Sequence, residues 1–430
     1  MAHQPCSNFW PIVCKTDEKP LILRKIIKLT PRKGSSNIET TMMTKFSLFI
    51  PTRFIFGAGE LRQLSKIKLP GKRALIVISS GGSMRKHGYV DAVKEQLWSA
   101  GVACEVFDKV LPNPIRKHVM EGAKMCRESQ CDFVIGLGGG SSIDTAKAIA
   151  VMACNEGDLW DYIPSGSGKG QPFDHALPIV AIPTTAGTGT EIDPWAVITH
   201  EDLQEKVSFG FEQTIPQIAI VDPVMMLSLP PKLTAYQGFD AFFHAAEGYI
   251  NRTCHTPISD LYALEAIRLL YKYLPVVVAD GSDVHARCKV AWASSLAGMV
   301  ETTSRTTGQH ALANAMSGFY PKLPHGAALI ALSQTYFKTF KNDSMKRYMK
   351  MAEKMTMQKA ARPSDFLDAL AIMQRECNVD KIKLSEWGIT PADFSRFTEC
   401  AIATGGTKFD YDPRFLNKEE LIDIYYQAYR

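Results

Sequence analysis

The chain has 430 residues, 46% of them hydrophobic and 22% charged, the balance of a globular protein with room for two domains of ordinary size. No apolar run reaches the roughly 18–20 uncharged residues that a helical membrane span needs, so composition argues against a membrane protein. The formal charge is +5, but residues 1–42 hold seven Lys and Arg against three acids; the remainder is near neutral and gives no electrostatic case for a nucleic-acid partner.

Residues 1–42 show no sustained periodicity and end in Gly34-Ser35-Ser36-Asn37. They read either as a basic targeting segment, against which the acids count, or as a disordered tail or upstream extension of a start at Met42 or Met43. Both readings leave them outside the fold. From Met43, the alternation in "MTKFSLFIPTRFIFGAGEL" predicts an edge strand or hairpin.

Strand, loop and helix then repeat. Strands are predicted at Arg73–Ile78, running into Ser79-Ser80-Gly81-Gly82-Ser83, and at Gly101–Phe107. Others are predicted within Cys131–Gly140, Ala176–Glu191 and Ile215–Pro223. Continuous apolar strands between helical segments indicate a parallel sheet covered on both faces. After Pro223 the apolar spacing becomes three to four residues, as in Ile258–Val278, Arg287–Thr303, Ser364–Cys377 and Lys418–Tyr429. The expectation is an α/β domain over 43–224 and a helical domain over 225–430. Ten cysteines without a C-x-x-C pair or a secretory signal predict free thiols in a reducing cytoplasm.

"GLGGGSSIDTAK" lies where a strand gives way to a helix. Glycines there admit a phosphate to the backbone N–H groups, and the helix N-terminus favours negative charge. Ser141, Ser142 and Asp144 add donors, acceptors and a capping choice. The alternative is an ordinary tight turn, and the pattern is not the G-x-G-x-x-G fingerprint. In "PTTAGTGTE", Thr184, Thr185 and Thr188 offer hydroxyls to a ribose or amide; as an isolated feature the segment reads equally as a solvent loop.

Asp240 and His244 stand four residues apart in a helical pattern and so share a face. His310 lies in a later helical stretch, and His325 follows Pro324, where a loop would turn it inward. One carboxylate and three imidazoles suit Fe²⁺ or Zn²⁺ and leave room for a substrate oxygen. A hydrogen-bonded Asp240–His244 pair with unrelated core histidines is the plainer reading of the same spacing.

Taken together, "FGAGEL", "GGGSSIDTAKA", "PTTAGTGTE", "PPKLTAYQGFDAFFHAAEGYI" and "HALANAMSGFYPKLPHG" resemble, in order and spacing, the iron-containing (group III) alcohol dehydrogenase family. The resemblance runs from about Phe46 to the C-terminus. It implies a dinucleotide-binding α/β domain, an all-helical metal-binding domain, and an active site between them. It also implies that Asp240, His244, His310 and His325 hold the metal, and that Gly139, Gly140, Ser141 and Asp144 hold the pyrophosphate. Thr184 and Thr185 would lie near the cofactor, with Asn113 and Lys206 in contact with it. The metal would act as a Lewis acid on an alcohol or aldehyde oxygen while hydride passes to or from a nicotinamide. A homo-oligomer acting on a small primary alcohol, diol or aldehyde is the corresponding expectation.

Three features depart from the family pattern. Asn314 stands where many members have a second histidine, and an amide cannot act as an acid or base near neutral pH. One extra residue precedes "PHG", placed at Pro321-Lys322-Leu323. Phe242 and Phe243 replace smaller residues, either filling core or narrowing the substrate pocket. The loop "SSGGSMRKHG" carries no acid to exclude a 2′-phosphate, and Gly81, Gly82 and Ser83, with Arg85 and Lys86 nearby, resemble NADP-linked members more than NAD-linked ones. Two other functions fit parts of the pattern: a non-redox metal lyase of the dehydroquinate-synthase type, and a non-catalytic cofactor-binding homologue.

Overall fold

The computed structural model describes residues Lys45–Tyr429, and the described residues from Phe46 onward cluster as one compact unit. The expectations for residues 1–42 lie outside the described residues.

Six strands form one parallel sheet: β1 (Arg53–Phe56), β2 (Arg73–Ser79), β3 (Ala103–Val110), β4 (Phe133–Gly138), β5 (Ile179–Pro183) and, later in the chain, β8 (Ile218–Val221). Their order is β1-β8-β5-β4-β2-β3. Residues 53–56 are thus an edge strand paired in parallel, not half of a hairpin. Both faces are apolar because both are covered. Ala74, Ile76, Phe133 and Ile135 join one buried cluster, while Leu75, Val77 and Val134 join another.

The helices on this sheet are α1 (Ser83–Lys86), α2 (Tyr89–Ser99), α3 (Arg116–Glu128), α4 (Gly140–Cys154) and α5 (Leu159–Tyr162). From β2 the chain moves outward to β3, then returns to the other side of β2 as β4. Such a reversal opens a crevice at the carboxyl ends of β2 and β4, the place where open α/β sheets bind ligands. The loops Ser80–Gly82 and Gly138–Gly140 border it.

An antiparallel pair, β6 (Trp195–His200) and β7 (Glu205–Gly210), precedes β8 and was not foreseen from sequence. Helices then take over: α6 (Pro231–Ile250), α7 (Pro257–Ala279), α8 (Val284–Thr303), α9 (Gly308–Phe319), α10 (His325–Phe340), α11 (Met345–Thr356), α12 (Ser364–Glu376), α13 (Phe394–Thr404) and α14 (Lys418–Ala428). Pro231 opens α6 at a position that needs no N–H donor; Thr256 caps α7, Asp283 caps α8 and Asn417 caps α14. Phe242 and Phe243 are fully buried and pack against Phe366 and Phe337, so they fill core and do not narrow a pocket.

Among the described residues no helix is long and apolar enough to cross a membrane, and the eight described cysteines are unpaired.

Candidate metal centre

α6 is buried along most of its length, which brings polar side chains on one face into the interior. Asp240 and His244 lie one turn apart on that face, and Glu247 follows almost one turn later. His310 occupies the first turn of α9. His325 is the first residue of α10, with Pro324 as the preceding cap residue, so a helix start aims it inward and not the loop expected from sequence.

The four side chains meet. Nε2 of His244, His310 and His325 lie 3.7, 3.5 and 3.6 Å from Asp240 Oδ1. The ligand atoms of Asp240, His244 and His310 all fall within 4.8 Å of one another. A tetrahedral ion with bonds of about 2.1 Å holds its donors about 3.4 Å apart, which these spacings match. Asp240 Oδ1 and His310 Nε2 are buried without a hydrogen-bond partner. Leaving such atoms unpaired is costly, and a cation between them removes the cost. The residues therefore fit a divalent metal. The His325 side chain is 25% exposed against 5% for His310, so the site opens on the His325 side.

The protonation equilibria of these groups reflect the same crowding of charge. Burial opposes charge on Asp240, but His244, His310 and His325 outweigh it and hold the carboxyl well below the usual range. Burial drives His244 down to about 4, and burial with the nearby Lys206 charge drives His325 well down. Burial also opposes charge on His310, but Glu247 and Asp240 prevail and raise it to about 9. Three imidazoles around one carboxylate cannot all carry protons.

Glu247 orients His310. Its Oε1 lies 2.5 Å from His310 Nδ1, while its Oε2 accepts from the Thr307 N–H at 2.8 Å and from Thr307 Oγ1 at 3.0 Å. A carboxylate on one ring nitrogen fixes the tautomer that presents the other to a metal. Thr307 Oγ1 in turn meets Tyr336 OH at 2.6 Å, and Tyr336 donates to Asp412.

The loops after β4 and β5 interlock beside the crevice. A Cβ on Gly140 would sit 2.5 Å from Thr188 Cγ2, and one on Gly139 would lie 3.2 Å from Thr185 Cγ2, so close loop packing alone demands small residues here. The Thr184 N–H donates to the Gly138 carbonyl at 2.8 Å, and Thr184 is 2% exposed. The segment Pro183–Glu191 is mostly buried and is not a solvent loop. Ser141 donates to the Pro112 carbonyl at 2.5 Å, while Gly81, Gly82 and Ser83 form the outer rim after β2.

Asp144 does not cap the glycine turn. Gly139 is the N-cap of α4 and has no side-chain cap, whereas Asp144 points inward and accepts from Thr190 Oγ1 (2.8 Å) and the Val197 N–H (3.0 Å). Lys147, fully buried, donates to Thr190 Oγ1, Asp193 Oδ1 and the Trp195 carbonyl. Together these bonds fasten α4 to the loop after β5 and to the β6–β7 hairpin.

Asn113 and Lys206 are neighbours: Lys206 Nζ donates to Asn113 Oδ1 at 3.0 Å, and Asn113 Nδ2 donates to the Pro321 carbonyl at 2.7 Å. Burial drives Lys206 down to about 8, opposed by Asp240 and Asp144. The turn at Pro321-Lys322-Leu323 thus carries a contact between the sheet side and the helical side. Asn314 lies one turn after His310 and one turn before Gly318, whose ideal Cβ would be 3.7 Å from the Lys206 Cβ, so this face of α9 lies against β7.

Two family models match. Residues 51–223 match iron-containing alcohol dehydrogenase, and residues 234–429 match the C-terminal model of the Fe-containing alcohol dehydrogenase family. The chain belongs to the iron-containing alcohol dehydrogenase family. It is 33% identical to a choline dehydrogenase of Bacillus subtilis, with 91% of this chain and 98% of the relative covered. It is also 33% identical to a 1,3-propanediol dehydrogenase of Klebsiella pneumoniae, covering 89% and 99%. Among solved structures, an archaeal alcohol dehydrogenase from a Red Sea brine pool superposes with a TM-score of 0.85 at 33% identity, covering 90% of this chain and all of that one. This family member is an oxidoreductase that couples alcohol chemistry to a nicotinamide cofactor.

Two features of this alcohol dehydrogenase were missed in the sequence. Glu247 was readable in principle, since it lies three residues beyond His244 and seven beyond Asp240, on the same helix face. Lys147 and Asp193 were not, because their pairing depends on a hairpin the sequence did not disclose.

Proposed function

We propose that this enzyme interconverts a small primary alcohol or diol with its aldehyde, using one metal held by Asp240, His244, His310 and His325. The convergence of three imidazole nitrogens on the otherwise unpartnered Asp240 Oδ1 supports the reading. When bound, a divalent iron would supply Lewis-acid stabilisation of charge on the substrate oxygen, and the nicotinamide would supply the hydride chemistry. Iron agrees with the family; zinc would suit the same donors.

The chain's own part is positioning. Glu247 holds His310 with Nε2 toward the cluster, and the buried faces of α6 and α9 shield it from water. The opening by His325 admits the substrate. Gly139, Gly140 and Ser141, with the uncapped N-terminus of α4, are assigned to the pyrophosphate, while Gly81, Gly82, Ser83, Thr184, Thr185 and Thr188 line the remainder of the cofactor site. Lys206 and Asn113 orient the cofactor near the metal. Asp144 serves that site from behind by holding α4 in place. Asn314 offers hydrogen bonds and no exchangeable acid, so the substrate proton leaves by another group or by solvent.

NADP(H) is assigned as the preferred cofactor. The β2 loop has no acid, and although Arg85 is held by Asp108 at 2.8 Å, Lys86 forms no ion pair among the described residues. The division near residue 224 is taken as the boundary between cofactor-binding and metal-binding parts. A cytoplasmic homo-oligomer completes the reading, supported by the free thiols and by the exposed Phe46, Leu48 and Phe49 ahead of edge strand β1.

The test is an alcohol and aldehyde panel on anaerobically purified, metal-loaded protein with both cofactors, followed by absorbance. Net NAD(P)H change with alcohols is expected. Metal-dependent turnover without such change would identify the lyase chemistry, and inertness toward the whole panel would identify a binding homologue.

A further inference from the structure

The β6–β7 hairpin has two unlike faces. Ala196, Ile198, Val207 and Phe209 are buried in the apolar cluster with α4. The other face is set by the register Trp195↔Gly210, Val197↔Ser208 and Thr199↔Lys206, and it turns toward the helical part of the molecule. Trp195 Nε1 donates to the Glu301 carbonyl at 3.1 Å, and α9 lies on Lys206.

Three cations follow one another along this face. The Arg305 guanidinium lies 4.9 Å above the Trp195 ring, Lys408 Nζ donates to Ser208 Oγ at 3.1 Å, and Lys206 donates to Asn113. Consecutive anchors are two residues apart along a strand, about 6.7 Å. The row ends at the metal centre, since Lys206 and Lys408 are within electrostatic reach of Asp240 and His244 respectively.

Lys408 and Arg305 are half-buried, yet among the described residues neither makes an ion pair, whereas Arg116 and Arg347 each engage an aspartate. The carboxyls nearest in charge, Glu247 and Glu301, make no ion pair with either cation. Glu247 accepts from His310 and Thr307, and burial pushes the Glu301 carboxyl up. Burial lowers the Lys408 ammonium, and Glu301 and Glu247 offset this only at a distance, so a carboxylate placed in direct contact with both cations would be favoured. The aromatic platform under Arg305 also holds its guanidinium in a fixed plane, the arrangement that suits a carboxylate.

We propose that Lys408 and Arg305 form the receptor for an anionic group on the substrate, so that the preferred substrates are short hydroxy acids and the corresponding aldehyde acids, with the carboxylate a few carbons from the reacting carbon. This rests on the dehydrogenase reading above and narrows its substrate class. Lys206, nearer the metal, stays with the cofactor, while Lys408 and Arg305 set specificity without entering the chemistry.

The test compares 4-oxobutanoate with butanal, of equal chain length but uncharged, in the metal-loaded full-length enzyme. Choline serves as a cationic alcohol. The wild type is expected to favour 4-oxobutanoate over butanal by at least ~10-fold in kcat/KM, chiefly through KM, and to use choline poorly. Lys408→Met and Arg305→Met should each bring the acid-to-butanal ratio down by ~10-fold or more by raising KM for the acid, and Lys408→Arg should restore most of it. A wild-type ratio near one, or a preference that survives in both methionine variants, overturns the proposal while butanal turnover upholds the dehydrogenase reading. Failure of the loaded wild type on every alcohol and aldehyde overturns that reading, and the proposal with it.

Discussion

His310 Nδ1 lies 2.5 Å from Glu247 Oε1, with the imidazole 5% exposed and the carboxylate fully buried. That contact makes the third ligand position a property of two helices, because α6 supplies Glu247 and α9 supplies His310. Glu247→Gln keeps the shape but removes the negative charge from the imidazole. Metal affinity should fall ~10–100-fold, measured by competition with a chelator. Affinity unchanged from wild type would mean that Glu247 only fills space.

Gly140 is predicted to be intolerant of a methyl group. In Gly140→Ala the new Cβ would press on Thr188 Cγ2 from 2.5 Å and push the loop after β5 out of place. Cofactor affinity should drop by about ten-fold or more, with a stability loss of ~1–3 kcal/mol. Fluorescence titration with NADPH and urea unfolding read the two effects. Normal binding in a normally stable variant would show that the loops can separate freely.

These two residues also mark what the sequence could disclose. Gly140 stood out because its neighbours form a glycine run at a strand-to-helix junction, and the apolar runs of β2, β4 and β5 were legible for the same local reason. The long amphipathic helices were equally plain. The β6–β7 pair was not, since its strands lack a continuous apolar run and mix Trp, Thr, Lys and Ser on one face. Pro183–Glu191 reads equally as a cofactor loop or a solvent loop because its hydroxyls are polar, yet Thr190 uses its own on Lys147 and Asp144 inside the protein. Pro324 before His325 suggests a loop, although proline is equally at home beside a helix start. Lys408 and Ser208 meet across 200 residues of chain, and no local pattern announces that.

Asn314→His would place an ionisable ring one turn after His310 on the face of α9 that meets β7. The wild type should lack a histidine-like inflection from this position in its pH–rate profile, and the variant should gain one near pH ~6–7. The measurement is kcat against pH for alcohol oxidation. Superimposable profiles would remove position 314 from proton handling altogether.

Asp412 carries a pH-dependent share of stability. Burial raises it to about 7, while Tyr336 and the Gly308 N–H donate to its Oδ1 and its Oδ2 is buried without a partner. Since the folded value lies above the unfolded one near ~4, the contribution is complete below about pH 4 and is lost as pH rises through about 7. Relative to Asp412→Asn, the wild type should lose ~1–3 kcal/mol of unfolding free energy between about pH 5 and 7.5. Urea titrations across that range give the difference, and a flat or rising difference would contradict the assignment.

The four-residue metal centre is tested most directly by metal content and turnover measured on the same samples. Wild type, Asp240→Ala and His310→Ala would be purified anaerobically, analysed for iron and zinc, and assayed for NAD(P)H formation from a primary alcohol. Close to one metal per wild-type chain is expected, with metal and activity lost together in both variants. Undiminished metal content and turnover in either variant would contradict it.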